Sequence, residues 1–103
     1  MYSRVTLVEI DTVRLGVDEA AEIFKERVLP GLREQDGYEG VLVLATPEGK
    51  GMIISIWESE EASAAAAGFA AGELERFLAL FKSPPGREHY EVVFGEVPSA
   101  ALG

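Results

Sequence analysis

The stretch GMIISIWESEEA, residues 51–62, decides the fold because it joins a strand directly to the start of a helix. Its branched apolar residues predict the strand. Ser59 is a predicted helix N-cap, and Glu60 and Glu61 follow in the first turn, where negative charge is favoured. Trp57, the sole tryptophan of the chain, ends the strand. Two interpretations are open for it: the wall of a small-molecule pocket, or the end of an apolar core.

The rest of the chain predicts three more strands and an earlier helix. The predicted strands cover residues 3–10, 38–46, 51–58 and 87–97. The predicted helices begin at the N-caps Asp18 and Ser59, and a second helical piece covers 72–81. We expect Pro30 to interrupt the first helix, Gly68 and Gly72 to bracket a weak point in the second, and residues 47–51 to form a hairpin turn. This β-α-β-β-α-β order predicts an α+β, ferredoxin-like fold: a four-stranded antiparallel sheet with helices on one face. A single domain spans 1–103, with 98–103 as a loose tail.

The composition excludes several classes of partner and site. The net charge of −9 repels phosphate backbones and anionic headgroups, so neither nucleic acid nor a membrane surface is an expected partner. The absence of cysteine excludes disulfides and zinc–thiolate sites. No segment reaches the roughly 20 apolar residues of a membrane span, and the N-terminus is too polar for a signal peptide. We therefore expect a cytoplasmic protein.

The predicted sheet would be poorly protected in a single copy. In this topology the first and third strands are central, which leaves the second and fourth at the edges. Residues 41–45 are apolar on both faces of the second strand, and residues 92–94 add three apolar positions to the fourth. Bare edges and broad apolar faces are rare in soluble monomers. The pattern therefore predicts a homodimer, with a second copy packed sheet against sheet.

Groups that could carry polar chemistry are few. His89, the sole histidine, stands at the start of the fourth strand, where a surface role is the alternative to general acid–base work. The acidic residues form no cluster with ligand spacing, so we expect no metal site. Nucleophile-elbow and phosphate-loop motifs are absent from the sequence.

Aromatic residues offer the better candidate site. On the third strand Trp57 shares one face with Ser55 and Ile53, and a small polar residue beside a large aromatic one can leave room for a flat ligand. The pocket candidates are Trp57, Ser55, Phe24, Tyr38, Phe69, Phe77 and Phe81, and the polar candidates are Arg4, Thr6, Arg76, His89 and Tyr90. For each phenylalanine, packing in the core is the alternative interpretation. The expected ligand is a small aromatic or apolar molecule.

The stretch GYEGVLVLATPEGKGMIISIWESEEASAAA, residues 37–66, resembles the antibiotic biosynthesis monooxygenase (ABM) domain family. The sharpest similarities are the strand that ends in Trp57-Glu58-Ser59 before a helix, and the turn at residues 37–40. The resemblance implies a dimeric α/β barrel made from two ferredoxin-like subunits. It also implies one of two chemistries: oxygenation of phenolic polyketides by O2 without metal or flavin, or haem degradation.

The haem-degrading relatives use an asparagine on the first strand, the third-strand tryptophan and a helical histidine. This sequence has Trp57, but it has no asparagine, and His89 lies on the last strand. Haem degradation is therefore disfavoured. The resemblance implies a cofactor-independent monooxygenase acting on a small aromatic or quinone-like metabolite. Trp57, His89, Tyr90 and Arg4 are the candidate catalytic residues, because they are among the side chains available to stabilise the anion of a phenol. The alternative is a non-catalytic homodimer that binds a small ligand or serves as an assembly module.

Overall fold

The computed structural model describes residues 1–76, 81 and 86–96, with only the backbone of residues 74, 87 and 89. Its elements are β1 (Tyr2–Glu9), α1 (Val17–Ile23), a π-helical turn (Phe24–Val28), α2 (Leu29–Arg33), β2 (Tyr38–Ala45), β3 (Lys50–Trp57), α3 (Glu60–Ala65), α4 (Ala67–Glu75) and β4 (Gly86–Glu91). This order confirms the predicted α+β, ferredoxin-like fold. Among the described residues, no helix is long and apolar enough to cross a membrane. The predicted tail at 98–103 and the pocket candidate Phe77 lie outside the described residues.

All four strands form one antiparallel sheet in the order β2-β3-β1-β4. The first and third strands are therefore central, as predicted. Arg4 of β1 pairs with Ser55 of β3 on one side and with His89 of β4 on the other. Because paired residues of antiparallel strands share a face, this alignment puts Arg4 and Ser55 on the same side of the sheet.

The first helical segment departs from the prediction at its start and is interrupted where expected. It begins at Val17 with Gly16 as the N-cap, so the predicted cap Asp18 is instead a residue of the first turn. The interruption is a π-helical turn, in which the Leu29 N–H donates to the Phe24 carbonyl five residues back. Pro30 follows directly. Its ring would clash with the carbonyl four residues before it, and the wider turn relieves that clash.

The second helical segment is capped as predicted but breaks earlier. The Ser59 hydroxyl accepts a hydrogen bond from the Ala62 N–H at 3.1 Å, which is the expected N-cap. The break between α3 and α4 falls at Ala66, before the predicted weak point. Gly68 and Gly72 both lie inside α4, since the cost of a helical glycine, about 1 kcal/mol, does not by itself end a helix.

The fourth strand is shorter than predicted. It ends at Glu91, where the sequence pattern extended it to residue 97. The reason is the length of its partner strand, because Glu91 already pairs with Tyr2 at the very start of β1. Beyond that pair, the Val92 N–H donates to the Met1 carbonyl at 3.2 Å. Val93 and Phe94 are consequently 88% and 81% exposed.

The apolar core lies at the Trp57 end of the sheet. Trp57, Leu32 and Ala66 are buried there, and the residues packed around them are Phe24, Val28, Tyr38, Ala62 and Phe69. Gly31 makes this packing possible because a Cβ at that position would collide with the Phe69 ring. The two helical segments therefore meet each other and the sheet at this end of the molecule.

Gly37 fixes how β2 starts relative to the end of β3. Its φ is 81°, a left-handed conformation that side chains with a Cβ rarely adopt. Its carbonyl accepts the Glu58 N–H at 2.8 Å. A Cβ added here would lie 2.5 Å from the Cβ of Ala62 on α3.

Replacing Gly37 by alanine should destabilise the fold by about 1–3 kcal/mol, because the change adds both backbone strain and a steric clash. Denaturant unfolding of Gly37→Ala measures this loss. The matched control is Gly40→Ala, since a Cβ at Gly40 meets nothing within 4 Å and φ there is not positive. Equal stabilities for the two variants would contradict this role for Gly37.

Candidate functional site

A cavity of about 930 Å³ lies between the sheet and the first helical segment. Its lining is mostly apolar and includes Val8, Val17, Ala20, Ala21, Phe24, Ile53 and Phe81. The consecutive residues 41–45 all line it, so the cavity extends around the edge of β2. Its size is at the upper end of the range of roughly 300–1,000 Å³ for small-molecule sites.

Small side chains account for the space. Ala20 and Ala21 face the cavity from α1, and Gly51 and Ser55 face it from β3. α3 lies close against β1 and β3, whereas α1 makes few close backbone contacts with the sheet. The core therefore fills the Trp57 end of this interlayer space, and the cavity occupies the rest.

Three buried polar residues form the floor of the cavity on the two central strands. They are Arg4 and Thr6 of β1 and Ser55 of β3. Arg4 is only 4% exposed, and its Nη2 donates to the Ser63 carbonyl of α3 at 2.9 Å. A polar floor under apolar walls is the usual composition of a ligand site, where a few polar groups fix orientation.

Trp57 is not part of the cavity wall. Its side chain is 0% exposed and belongs to the core, and its Nε1–H donates to the Ser55 hydroxyl at 2.9 Å. The structure therefore favours the core interpretation of Trp57. Ser55 stands between the two environments, because it lines the cavity and accepts the indole hydrogen bond.

Tyr38 also borders both the core and the cavity. Its ring meets the Trp57 ring edge-on, with centroids 5.8 Å apart and planes at 78°. Burial raises the pKa of the Tyr38 phenol, and the nearby Arg33 charge opposes that shift in part. The phenol is therefore a neutral hydrogen-bond donor at pH 7 and not a base.

The remaining predicted site residues are dispersed. Phe69 packs in the core, and Arg76 is bound to Glu73 at 3.2 Å on the surface of the protein. Tyr90 pairs with Ser3, which places it on the sheet face opposite the cavity, half exposed and hydrogen-bonded to Glu88. Its pKa is raised mainly by that hydrogen bond. The backbone of His89 pairs with Arg4; its side chain, like Phe77, is outside the described part of the chain.

Sequence reasoning missed the residue that holds Arg4. Ser63 lies in an alanine-rich helical stretch and contributes its backbone carbonyl, which no sequence signal marks. The small residues of α1 could have been noticed: Ala20 and Ala21 lie on the apolar helical face, where larger residues would have filled the space. Among the side chains that the structure describes, which do not include that of His89, no three potential metal ligands cluster.

Solved structures of known proteins share this fold. A monooxygenase from the ActVA-Orf6 gene of Streptomyces coelicolor, in complex with nanaomycin D, gives a TM-score of 0.71 at 21% identity and covers 95% of this chain and 92% of its own. SnoaB, a cofactor-independent oxygenase from Streptomyces nogalater, gives a TM-score of 0.70 at 15% identity and covers 91% of this chain and 94% of its own. The heme-degrader MhuD of Mycobacterium tuberculosis, with two hemes bound, gives a TM-score of 0.67 at 19% identity and covers 94% of this chain and 100% of its own.

Other similar structures include one of a protein of unknown function. No protein-family model matches the chain. A comparison with curated proteins finds no match either. The chain thus has the fold of these two oxygenases, which is the ferredoxin-like subunit fold that the resemblance of residues 37–66 implied, and at these identities the likeness concerns the fold alone.

Replacing Ser55 by alanine should destabilise the protein by about 1–3 kcal/mol, because the Trp57 indole N–H would remain buried without an acceptor. Ser63→Ala is the matched control: Ser63 is 1% exposed, and among the described residues its buried hydroxyl has no hydrogen-bond partner. Chemical denaturation of both variants provides the measurement. A loss at Ser63 as large as that at Ser55 would refute the importance of the indole hydrogen bond.

Proposed function

We propose that this protein is a cofactor-independent monooxygenase that acts on a small aromatic or quinone-like metabolite bound in the cavity under α1. The observation that carries the proposal is the cavity of about 930 Å³, apolar in its walls and polar on its floor, in a fold shared with two solved oxygenases. Flat ring systems suit such walls, and the polar floor can orient a phenol.

The proposed reaction draws its electrons from the substrate itself. A phenol with a hydrogen on the ring carbon opposite its hydroxyl reacts with one O2. One oxygen atom becomes the new quinone carbonyl, and the other leaves as water with the phenolic proton and the ring hydrogen. The protein's part is to hold the ring, exclude water and provide hydrogen bonds to the substrate oxygen where charge develops.

In our proposal, the residues of the cavity floor and its border bind and orient the substrate. Arg4 and Ser55 orient the ligand from the floor, and Tyr38 donates a hydrogen bond to the reacting phenol oxygen. Trp57 acts through Ser55 as a positioning residue, since it does not border the cavity. His89 stays a candidate because its backbone pairs with Arg4. Tyr90 has no part, since it lies on the opposite sheet face.

A non-catalytic ligand-binding module is the second candidate function. The observation in its favour is the burial of Trp57, which removes one of the predicted catalytic groups from the cavity. Haem degradation stays disfavoured, despite the likeness to MhuD, because the chain has no asparagine and no histidine on the helix that follows Trp57.

We further propose that the protein works as a homodimer in the cytoplasm. The sheet face away from the helices carries Leu7 and Leu44, which are exposed, beside Val5 and Ile54. A second copy packed against this face would remove the apolar surface from water. The absence of cysteine fits a reducing compartment.

Oxygen uptake tests the catalytic proposal. The purified protein should consume O2 with a hydroxylated polycyclic aromatic and form the quinone. Ala21→Leu should reduce this turnover at least about tenfold by filling the cavity. The control Ala64→Leu adds the same side chain at an exposed position of α3 and should leave turnover unchanged. Binding of aromatics with no turnover across a panel of phenols would support the binding module instead.

Light scattering after size exclusion tests the dimer. The expected mass is twice the 11.1 kDa of the chain. Leu44→Glu should shift it to the monomer because the new carboxylates would be buried at the sheet-to-sheet contact. The control is Val13→Glu, at a loop position 93% exposed. A monomeric wild-type protein at micromolar concentration would contradict the proposed dimer.

A further inference from the structure

The cavity floor carries a fixed positive charge. The Arg4 guanidinium is permanently protonated, and it is buried on a central strand with its Nη2 held by the Ser63 carbonyl at 2.9 Å. In apolar surroundings a charge acts more strongly on a ligand than it would in water. The anchoring bond also removes much of the entropy cost of ordering a long side chain around a ligand.

The charges around the cavity contrast with the rest of the chain. Although the chain carries −9, the described lining residues include three cations, Arg4, Lys25 and Arg33, against two anions, Glu39 and Glu73. Lys25, Arg33 and Glu39 are exposed, so water screens their charges. Lys25 is paired with Glu22, and Glu73 is bound to Arg76. Arg4 is therefore the buried charge among the described lining residues. The described carboxylates of the lining therefore lie on β2 and α4, away from the pair of central strands that carries the buried guanidinium.

Two hydroxyl groups add hydrogen-bond donors to the same floor. The Ser55 hydroxyl already accepts the indole N–H of Trp57 at 2.9 Å, which leaves its own hydrogen to donate. Thr6, two residues along β1 from Arg4, is also buried and lines the cavity. A guanidinium together with hydroxyl donors matches an anionic oxygen pair, because charge-assisted hydrogen bonds of this type are the strong ones.

We propose that Arg4, Ser55 and Thr6 form a carboxylate-binding subsite, so that the preferred ligand is a flat aromatic molecule carrying a carboxylate. The inference rests on the proposed function for the aromatic part of the ligand and adds its charged part. The carboxylate lies on the floor against Arg4, and the ring system extends between the apolar walls toward α1. Arg4 would therefore select ligands that carry a carboxylate, in addition to joining β1 to α3 through its hydrogen bond to the Ser63 carbonyl.

Calorimetry with three probes of one shape tests the subsite: 2-naphthoate, 2-naphthamide and 2-naphthol. We expect 2-naphthoate to bind the full-length protein about tenfold or more tightly than the two neutral probes at pH 7. Arg4→Gln should remove that preference, and Arg4→Lys should keep part of it. Arg14→Gln is the matched control: it removes the same charge from the exposed loop before α1 and should leave the preference unchanged.

The possible results separate this inference from the proposed function. Equal binding of the three probes, with oxygen uptake intact, would overturn the carboxylate subsite alone. Loss of the preference in Arg33→Gln, but not in Arg4→Gln, would also overturn it. If no probe binds, both proposals fail. Should Arg4→Gln not fold, as judged by circular dichroism, the ranking of the three probes on the wild-type protein and on Arg4→Lys still decides the question.

Discussion

The hydrogen bond from the Trp57 indole to the Ser55 hydroxyl is the constraint on which the rest of the structure depends. An indole can be fully buried only if its N–H finds an acceptor, and here the acceptor lies two residues earlier on the same strand face. With that requirement met, Trp57 can anchor the core against Leu32 and Ala66, and Tyr38 can pack edge-on to it. Both helical segments are positioned by this one end of the sheet.

The same bond shapes the cavity. Ser55 is too small to fill the interlayer space, and the core residues cluster around Trp57 at the end of β3. The space above the central strands is therefore left open beneath the alanines of α1. Its floor is held in place by a second bond across the layers, from Arg4 to the Ser63 carbonyl. The core and the cavity thus share a residue. Ser55 accepts the hydrogen bond of the core tryptophan and also lines the floor of the cavity.

Much of the fold was predictable from local patterns. Branched apolar runs marked the strands, Ser59 marked the start of α3, and Pro30 marked the interruption before α2. The end of β4 was not predictable, because it is set by the start of β1 and not by its own apolar residues. For the site, the pairing of small and large residues on β3 predicted a space beside Ser55 with Trp57 on its wall. Only the packed structure shows that this indole faces the core.

The central claim is that a ligand binds between α1 and the helix-facing side of the sheet, above Ser55. The most direct measurement is a set of intermolecular nuclear Overhauser effects between the ring protons of a bound flat aromatic and methyl groups of the protein. We expect contacts to the methyls of Ala21 and Thr6, with the Trp57 indole N–H protected from solvent exchange. Contacts only to Leu7 and Ile54, which lie on the opposite face of the sheet and do not line the cavity, would overturn binding at this site.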